Sequence, residues 1–522
     1  MTHKKVTMLQ NEVWYGPSSK HGELMPHNRK TVYSVNIETN ATCNQDNPLL
    51  ISNMGRFIYA PRGFSLDISG GVISAVSKFG EIDFAEGFGT LRGAYLEACR
   101  RYFPPSGSSV IPPQEFFTCP QYNTWIELIY DQNEDDILKY ARGIVENGLP
   151  AGILMIDDGW NDYYGSYRFS KSKFPHPREM CRTLHEMGFK VMMWISPFIS
   201  PDMPEYRELA AGGMLVRRKN AQGAMPAFSK NGISVAVREW WNGWSAVLDM
   251  TNPDTVRWLD NRLSELCDLG VDGFKLDAGD ACYYFEDDIT YSPVTPAEHA
   301  ELWNRYGLKY DYNEFRACYK CAGLPLVQRL HDKPHSWEGG VSALVPDTLA
   351  QGLLGYAYVC PDMIGGGSFA DFLPNSKTFD AELLIRYCEA SALMPMMQFS
   401  LAPWRVLDEE HYKVILKYAE LHEEFAPRIL ELAHESSRTG EPIVRSLEYV
   451  FPHEGFEKIT DCFMLGDDIL VAPVYKKGET VRIIPLPNGI WEDECGVRYE
   501  GGQTITVDAP LDRLPRLKKV KR

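Results

Sequence analysis

The feature that most constrains the fold is an alternation of short apolar runs with helical stretches, which continues for about 300 residues. Helical stretches are predicted at 178–187 and 255–269. Six apolar runs of strand length recur around them, at 153–156, 189–195, 271–276, 324–327, 356–360 and 393–397. Such alternation is typical of parallel strands joined by crossover helices. Because no glycine-rich dinucleotide fingerprint accompanies it, we predict an α/β fold with a closed (β/α)8 barrel rather than a doubly wound sheet.

The segments before and after the predicted barrel contain alternating strands instead. Strands at 33–37, 64–68 and 72–76 precede it, and the last two flank a turn at Gly70-Gly71. Strands at 469–474, 481–486 and 504–507 follow it, and Gly501-Gly502 predicts a further hairpin. We therefore predict an N-terminal β-sandwich over 1–112, the barrel over 113–425 and a C-terminal β-sandwich over 426–522. The basic residues 516–522 are expected to form a solvated tail.

Composition narrows the classes of partner and the cellular setting. The 522 residues carry a formal net charge of −17, which disfavours nucleic-acid binding. No window approaches eighteen uninterrupted apolar residues, and the basic start of the chain has no apolar run behind it, so neither a membrane span nor a signal peptide is predicted. The 12 cysteines are scattered apart from Cys318-x-x-Cys321, which indicates reduced thiols in a cytoplasmic protein. Homo-oligomer formation is left open.

Acidic residues follow several of the apolar runs, where barrel enzymes place their catalytic groups. Asp157 and Asp158 follow one run, Asp277 another, and Asp332 and Asp362 come after later ones. Carboxylates accept hydrogen bonds from pairs of ring hydroxyls, and indole faces stack on the apolar side of a sugar. With Trp160 and Trp194 close by in the sequence, the pattern predicts a site for a small carbohydrate.

Other interpretations of these carboxylates stay open at this stage. Asp157 and Asp158 could form a structural turn at a strand end. Lys275 shares a strand face with Asp277, and it either keeps a nucleophile ionised or forms a buried structural ion pair. An acidic rim can also bind a divalent metal, but His and Cys residues are not clustered with it, so we predict neither a metal nor a cofactor.

Five segments of the chain, in order, resemble glycoside hydrolase family 31: 50–58, 193–198, 247–253, 272–277 and 463–468. The most specific is Asp272-Gly-Phe-Lys-Leu-Asp277, which resembles the strand that carries the family's nucleophile. The resemblance implies a retaining mechanism in which Asp277 is the nucleophile, Asp332 is the acid/base and Arg316 contacts the sugar. Glu338 is the alternative acid.

Three departures from the common α-glucosidase pattern bear on the sugar. They are Ile156-Asp157-Asp158-Gly159-Trp160, Trp240-Trp241-Asn242-Gly243 and Cys360-Pro361-Asp362 before the glycine pair. They resemble the α-galactosidase branch of the family, so an exo-acting α-galactosidase is expected. The predicted sugar-binding residues are Asp157, Asp158, Trp160, Trp194, Trp240, Trp241, Lys275, Arg316 and Asp362. An α-glucosidase, an α-xylosidase, a sulfoquinovosidase and a non-catalytic carbohydrate-binding protein are the alternatives.

Overall fold

The computed structural model describes residues 1–39, 42, 44–105, 107, 110–219, 232–373 and 376–521. Its centre is a ring of eight parallel strands. In chain order they are β1 Gln121–Asn123, β2 Ile153–Ile156, β3 Lys190–Ile195, β4 Gly273–Leu276, β5 Tyr312–Phe315, β6 Val327–Arg329, β7 Val359–Cys360 and β8 Gln398–Phe399. Each strand pairs with its neighbour, and β8 pairs with β1. A parallel bridge between Met363 and Gln398 joins the end of β7 to β8 and closes the barrel.

The barrel strands are short and almost entirely buried, because helices cover their outer faces and side chains fill the interior. This burial explains why the sequences of β2 and β3 are almost continuously apolar. The prediction placed the strands of β6 and β8 a few residues too early, and it missed β1 and β5. Both missed strands carry polar side chains that are buried inside the barrel, such as Gln121 and Glu314.

Helices form seven of the crossovers and exits around the barrel: Glu134–Glu146, Pro177–Glu186, Pro253–Asp268, Pro296–Gly307, Ser342–Leu353, Ala381–Ser391 and Glu409–Thr439. Several begin at a side chain that accepts a first-turn N–H, as Asn133, Thr295 and Asp408 do. The remaining helices described are Ser19–Leu24, Leu91–Tyr102, Glu115–Thr118, Trp125–Leu128, Tyr206–Ala211, Ala281–Tyr283, Trp337–Val341, Phe369–Phe372, Pro403–Val406 and Leu447–Val450.

The crossover from β5 to β6 differs from the others. The described residues between these two strands contain no helix; instead a short strand, Cys318–Tyr319, pairs in parallel with Gln45–Asp46 from the N-terminal region. The N-terminal domain therefore covers the part of the barrel that a fifth helix would otherwise cover.

Two antiparallel four-stranded sheets form the N-terminal domain and enclose a core of their own. One sheet contains Thr2–Thr7, Val72–Ser77, Ser65–Ser69 and Tyr33–Asn36, and the other contains Trp14–Tyr15, Leu49–Ser52, Arg56–Tyr59 and Asp83–Ala85. The hairpin at Gly70-Gly71 is present as predicted.

The C-terminal domain packs a six-stranded sheet against a strand pair. The sheet contains Val444–Arg445, Phe463–Leu465, Ile469–Val471, Arg516–Val520, Ile490–Asp493 and Arg498–Glu500; the pair is Val481–Leu486 with Gln503–Asp508. Two predictions were wrong here. Arg516–Val520 is an inner strand rather than a solvated tail, and the strands on either side of Gly501-Gly502 belong to different sheets rather than to one hairpin.

An insertion between β3 and β4 rises over the rim of the barrel. It contains an antiparallel sheet of Phe198–Ile199, Gly243–Val247 and Val237–Trp240, and a strand pair of Arg217–Lys219 with Ile233–Val235. The turn between the strands Val237–Trp240 and Gly243–Val247 is formed by Trp241 and Asn242.

The helix Glu409–Thr439 crosses residue 425, where the sequence analysis places a domain boundary, and it ends at Gly440 in a left-handed conformation. We therefore propose that the C-terminal domain begins near residue 440. Across the described ranges, we find no helix long and apolar enough to cross a lipid bilayer.

Candidate active site

A cavity of about 600 Å³ opens at the C-terminal ends of the barrel strands. Four carboxylates line it: Asp157, Asp158, Asp277 and Asp332. The lining also includes four basic residues, Lys275, Arg316, Arg329 and Lys333, and five aromatic residues, Trp125, Tyr130, Trp194, Trp241 and Phe369. Charged groups and flat apolar rings thus meet in one concave site, as expected where an amphipathic ring must be bound and oriented.

Asp277 follows β4 directly, and both of its carboxylate oxygens are held. The indole Nε1 of Trp194, from β3, donates to Oδ2 at 2.8 Å, and the backbone N–H of Ala278 donates to Oδ1 at 2.8 Å. Arg316 Nε lies 3.7 Å from Oδ1. The side chain is only 11% exposed, so these contacts fix its orientation at the cavity wall.

Arg316 links Asp277 to the rim. Its Nη1 lies 3.4 Å from Oδ2 of the buried Asp280, and its guanidinium lies over the ring of Trp241, 4.8 Å from the centroid. Burial alone would lower the pKa of Arg316, but Asp280 and Asp277 outweigh it and raise that pKa above its usual value. The guanidinium is therefore a fixed cation between a buried carboxylate and an indole face.

Asp157 forms a buried ion pair with Lys275, with 2.6 Å between Oδ2 and Nζ. Burial alone would lower the pKa of Lys275, yet the attraction of Asp157 outweighs it and the pKa is raised. The sequence analysis paired Lys275 with Asp277 along one strand. The direct partner is instead Asp157, which directly follows β2. The strand β3 lies between β2 and β4, and side chains from such alternate strands meet inside a barrel.

Asp158 accepts hydrogen bonds from neutral donors, whereas its neighbour is paired with a cation. Asn242 donates to its Oδ2 at 2.6 Å, and the Tyr164 hydroxyl donates at 3.4 Å. Burial, reinforced by the negative charge of Asp157, raises the pKa of Asp158 to about 7. The two adjacent residues therefore provide one carboxylate tied to a cation and one carboxyl group that can carry a proton near neutral pH.

Asp332 lies beyond the end of β6 and is the most exposed carboxylate of the cavity, at 48%. Nη1 of Arg329 donates to its Oδ1 at 2.7 Å and also to Oδ1 of Asp362 at 2.7 Å. Desolvation would raise the pKa of Asp332, but Arg329 outweighs it and the pKa falls to about 2. Glu338, the alternative acid, is exposed on the short helix Trp337–Val341 and lies outside the cavity lining.

Three residues predicted to contact the sugar lie outside the cavity lining. Trp160 is fully buried and donates to the backbone carbonyl of Trp194. Trp240 faces inward and stacks on Phe198, with 4.2 Å between ring centroids. Asp362 is fully buried behind Arg329, so it supports that guanidinium rather than facing the cavity. Trp194 and Trp241 remain the two predicted tryptophans at the wall.

Several wall residues escaped the sequence analysis, notably Trp125, Tyr130, Arg329 and Phe369. Arg329 is the last residue of β6 and Trp125 follows β1 by two residues. Inspection of every strand end would have found both, had β1 been recognised and β6 been placed correctly.

Side chains of the N-terminal domain also contact the backbone of two cavity residues. The Gln45 side-chain amide donates to the backbone carbonyls of Arg316 at 2.5 Å and Arg329 at 2.7 Å. Asn44 donates to the Arg316 carbonyl as well, at 2.8 Å. The backbone positions of the two arginines are therefore held by side chains from another domain.

Comparison with known proteins identifies relatives for most of the chain. The model of the glycosyl hydrolases family 31 TIM-barrel domain matches residues 111–324, and that of the glycosyl hydrolase family 31 C-terminal domain matches residues 440–520. The chain is 32% identical over 426 residues to the myogenesis-regulating glycosidase of Mus musculus, which covers 79% of this chain and 57% of the relative. It is 26% identical to alpha-glucosidase 2 of Bacillus thermoamyloliquefaciens, over 74% of this chain and 50% of the relative.

The chain thus spans about half the length of these curated relatives. Among solved structures, the GH31 dextranase of Flavobacterium johnsoniae complexed with glucose superposes with a TM-score of 0.83 at 21% identity, covering 99% of this chain and 66% of the dextranase. This likeness shows the shared fold.

Proposed function

The chain belongs to glycoside hydrolase family 31, and from that premise we propose that it is a retaining, exo-acting α-galactosidase with Asp277 as nucleophile and Asp332 as acid/base. The observation that carries the proposal is that both carboxylates line one cavity at the C-terminal rim of the barrel. One is buried and held by two donors; the other is half exposed at the mouth.

These positions suit a double displacement. Asp277 attacks the anomeric carbon while Asp332, in its protonated form, gives its proton to the departing glycosidic oxygen. The galactosyl–Asp277 ester is then hydrolysed by a water molecule that loses its proton to Asp332, which restores both groups. Arg316 beside Asp277 and the indole N–H of Trp194 stabilise the carboxylate that leaves in the second step.

The charges in the cavity favour a neutral sugar over a sulfonated one. Each basic residue of the lining has a carboxylate partner: Lys275 with Asp157, Arg316 with Asp280, Arg329 with Asp332 and Lys333 with Asp347. A sulfonate would have to break one of these pairs to gain a charge-assisted bond. A relative of 26% identity is named sulfoquinovosidase, and this pairing weighs against extending that name to this chain.

The preference for galactose over glucose rests on the Asp157–Asp158 pair and on the similarity to the myogenesis-regulating glycosidase. An axial hydroxyl needs its partner in a different place from an equatorial one. Asp157 accepts hydrogen bonds, whereas Asp158 in its protonated form can donate one, so the pair offers two kinds of partner at neighbouring positions.

The test compares hydrolysis of para-nitrophenyl α-galactoside, α-glucoside and α-xyloside by the wild type and by Asp277→Ala. We expect preference for the galactoside and loss of turnover in the variant. Preference for another sugar would refute the galactose assignment and leave the mechanism standing. Absence of turnover together with galactose binding in calorimetry would refute the assignment as an enzyme and indicate a carbohydrate-binding protein.

Azide can distinguish the two carboxylates. In Asp277→Ala, azide would occupy the nucleophile's side of the sugar and yield the β-galactosyl azide. In Asp332→Ala, azide would attack the galactosyl–Asp277 ester and yield the α-galactosyl azide. The same anomer from both variants would contradict the assignment of the two residues.

A further inference from the structure

One nitrogen of Arg329 serves more acceptors than it has hydrogens. Its Nη1 lies 2.7 Å from Asp332 Oδ1, 2.7 Å from Asp362 Oδ1 and 3.2 Å from the backbone carbonyl of Leu330. An NH2 group of a guanidinium has two hydrogens, so three acceptors must share them. The carboxylates of Asp332 and Asp362 and the Leu330 carbonyl therefore compete for the two hydrogens of one nitrogen.

A further acidic group beside the same guanidinium lies on β5. Within the described part of the chain, neither Arg329 Nε nor Glu314 Oε1 has a hydrogen-bond partner, although both are buried. The two atoms are 3.7 Å apart, and Gln398 holds the other oxygen of Glu314 at 2.7 Å. A small rotation of the guanidinium toward Glu314 would complete this pair and loosen its bond to Asp332.

The three acidic partners differ in their access to a substrate. Arg329 is 2% exposed, and Glu314 and Asp362 are fully buried, whereas Asp332 is 48% exposed at the cavity. In the geometry seen here the pKa of Asp332 lies at about 2, so the carboxyl carries no proton near neutral pH. An acid must carry one, and Arg329 must therefore loosen its hold before the glycosidic bond breaks.

We propose that Arg329 is a positioning residue that controls when Asp332 can carry a proton, and that Asp362 and Glu314 take up the guanidinium when Asp332 is released. The inference rests on the proposed acid/base role of Asp332. Arg329 does not touch the reacting atoms; it acts by alternating between Glu314 on β5 and the two carboxylates that follow β6 and β7.

Other charged groups face this cluster and stay unchanged in the test. The charges of Arg316 and Lys275 also lower the pKa of Asp332, and the charge of Asp277 also raises the pKa of Arg329. Asp362 accepts from the backbone N–H of Lys333 at 2.8 Å and from the Tyr387 hydroxyl at 3.4 Å. His331, between Arg329 and Asp332 in the chain, lies 3.8 Å from Asp347, and the Lys333 side chain is paired with Asp347. A change at Arg329 or Asp362 therefore shifts Asp332 against a constant background.

Two substitutions should move the basic limb of the kcat/KM pH profile in opposite directions. Arg329→Gln removes the cation that keeps Asp332 ionised, so the apparent pKa of the basic limb should rise by ~1–3 units. Asp362→Asn removes the competitor and its negative charge, so Arg329 binds Asp332 more firmly and the limb should fall. Arg386→Gln is the matched control, because Arg386 is also fully buried and paired with Glu389 at 2.6 Å but does not line the cavity.

A leaving-group comparison separates failure of the inference from failure of the proposed function. Cleavage of methyl α-galactoside depends on the acid far more than cleavage of para-nitrophenyl α-galactoside does. If Asp332→Ala lowers kcat/KM for both substrates by the same factor, the acid/base role itself is wrong. A lower kcat/KM of Asp332→Ala for the methyl glycoside alone would instead support the acid/base role. If Arg329→Gln and Asp362→Asn then both keep the basic limb of the wild-type pH profile, only the proposed control by Arg329 is overturned. Asp362→Asn alone decides the matter if Arg329→Gln does not fold.

Discussion

The indole Nε1 of Trp194 donates a 2.8 Å hydrogen bond to Oδ2 of Asp277, and the register of two neighbouring strands produces it. Trp194 on β3 pairs with Lys275 on β4, two residues before Asp277. The indole of Trp194 is only 2% exposed, so its edge serves the carboxylate and little of the ring is left for stacking. The residue that the sequence singled out as a stacking platform thus orients the proposed nucleophile.

Trp194→Phe should therefore impair catalysis more than folding. A hydrogen bond to a charged group is worth ~1.5–3 kcal/mol, which corresponds to a loss in kcat/KM of about tenfold to a hundredfold. Steady-state kinetics on para-nitrophenyl α-galactoside measures it. Trp491→Phe is the control, since Trp491 is buried in the C-terminal domain and donates a 2.8 Å bond to Pro487. Equal kcat/KM in Trp194→Phe and the wild type would contradict the orienting role.

Gly367 should tolerate no side chain, because it lies against Asp332. A Cβ at this position would come within 2.7–2.8 Å of Asp332 Cβ, Cγ and Oδ1. We expect Gly367→Ala to displace the carboxylate and to lower kcat for methyl α-galactoside more than for the para-nitrophenyl substrate. At Gly80 a Cβ would meet Arg62 side-chain atoms at ordinary distances from 3.5 Å, so Gly80→Ala serves as control. Unchanged kinetics for Gly367→Ala would contradict the packing.

Asp158→Asn should change how stability depends on pH. Below pH ~4 the carboxyl is protonated in both the folded and the unfolded chain and contributes nothing. From pH ~4 to about 7 only the unfolded chain ionises, because the folded pKa is about 7, so the wild type loses stability as pH rises; above pH 7 the loss is constant. Denaturant titrations should show that the free energy of unfolding of the variant, relative to that of the wild type, rises across this window. Above pH 7 the difference should be constant. A difference independent of pH would contradict the raised pKa.

The barrel was predictable because its longest strands bury both faces, so apolar runs such as those of β2 and β3 mark them clearly. The strands β1 and β5 were not, since Gln121, Asn123, Asn313 and Glu314 are polar yet buried, on one face of the strand or the other. Their burial is offset by contacts between distant strands, such as that of Glu314 with Gln398. A local pattern cannot reveal a partner that lies 84 residues away.

The site was predictable where residue type and strand end coincide, as for Asp157, Asp158, Asp277 and Asp332, which all line the cavity. Orientation was not predictable. Trp240 and Trp241 are adjacent in the sequence, but one ends a strand facing inward and the other begins the turn toward the cavity. Asp362 adopts a φ of 108°, a backbone conformation that the sequence gives no reason to expect of an aspartate.

The contact of Gln45 with the carbonyls of Arg316 and Arg329 limits how this protein can be divided. A barrel excised without the N-terminal domain would lose the cover over its fifth crossover and the hydrogen bonds that position two arginines of the cavity. Chimaeras that exchange barrels between relatives should therefore keep each barrel with its own N-terminal partner. For such experiments the N-terminal domain and the barrel are one unit.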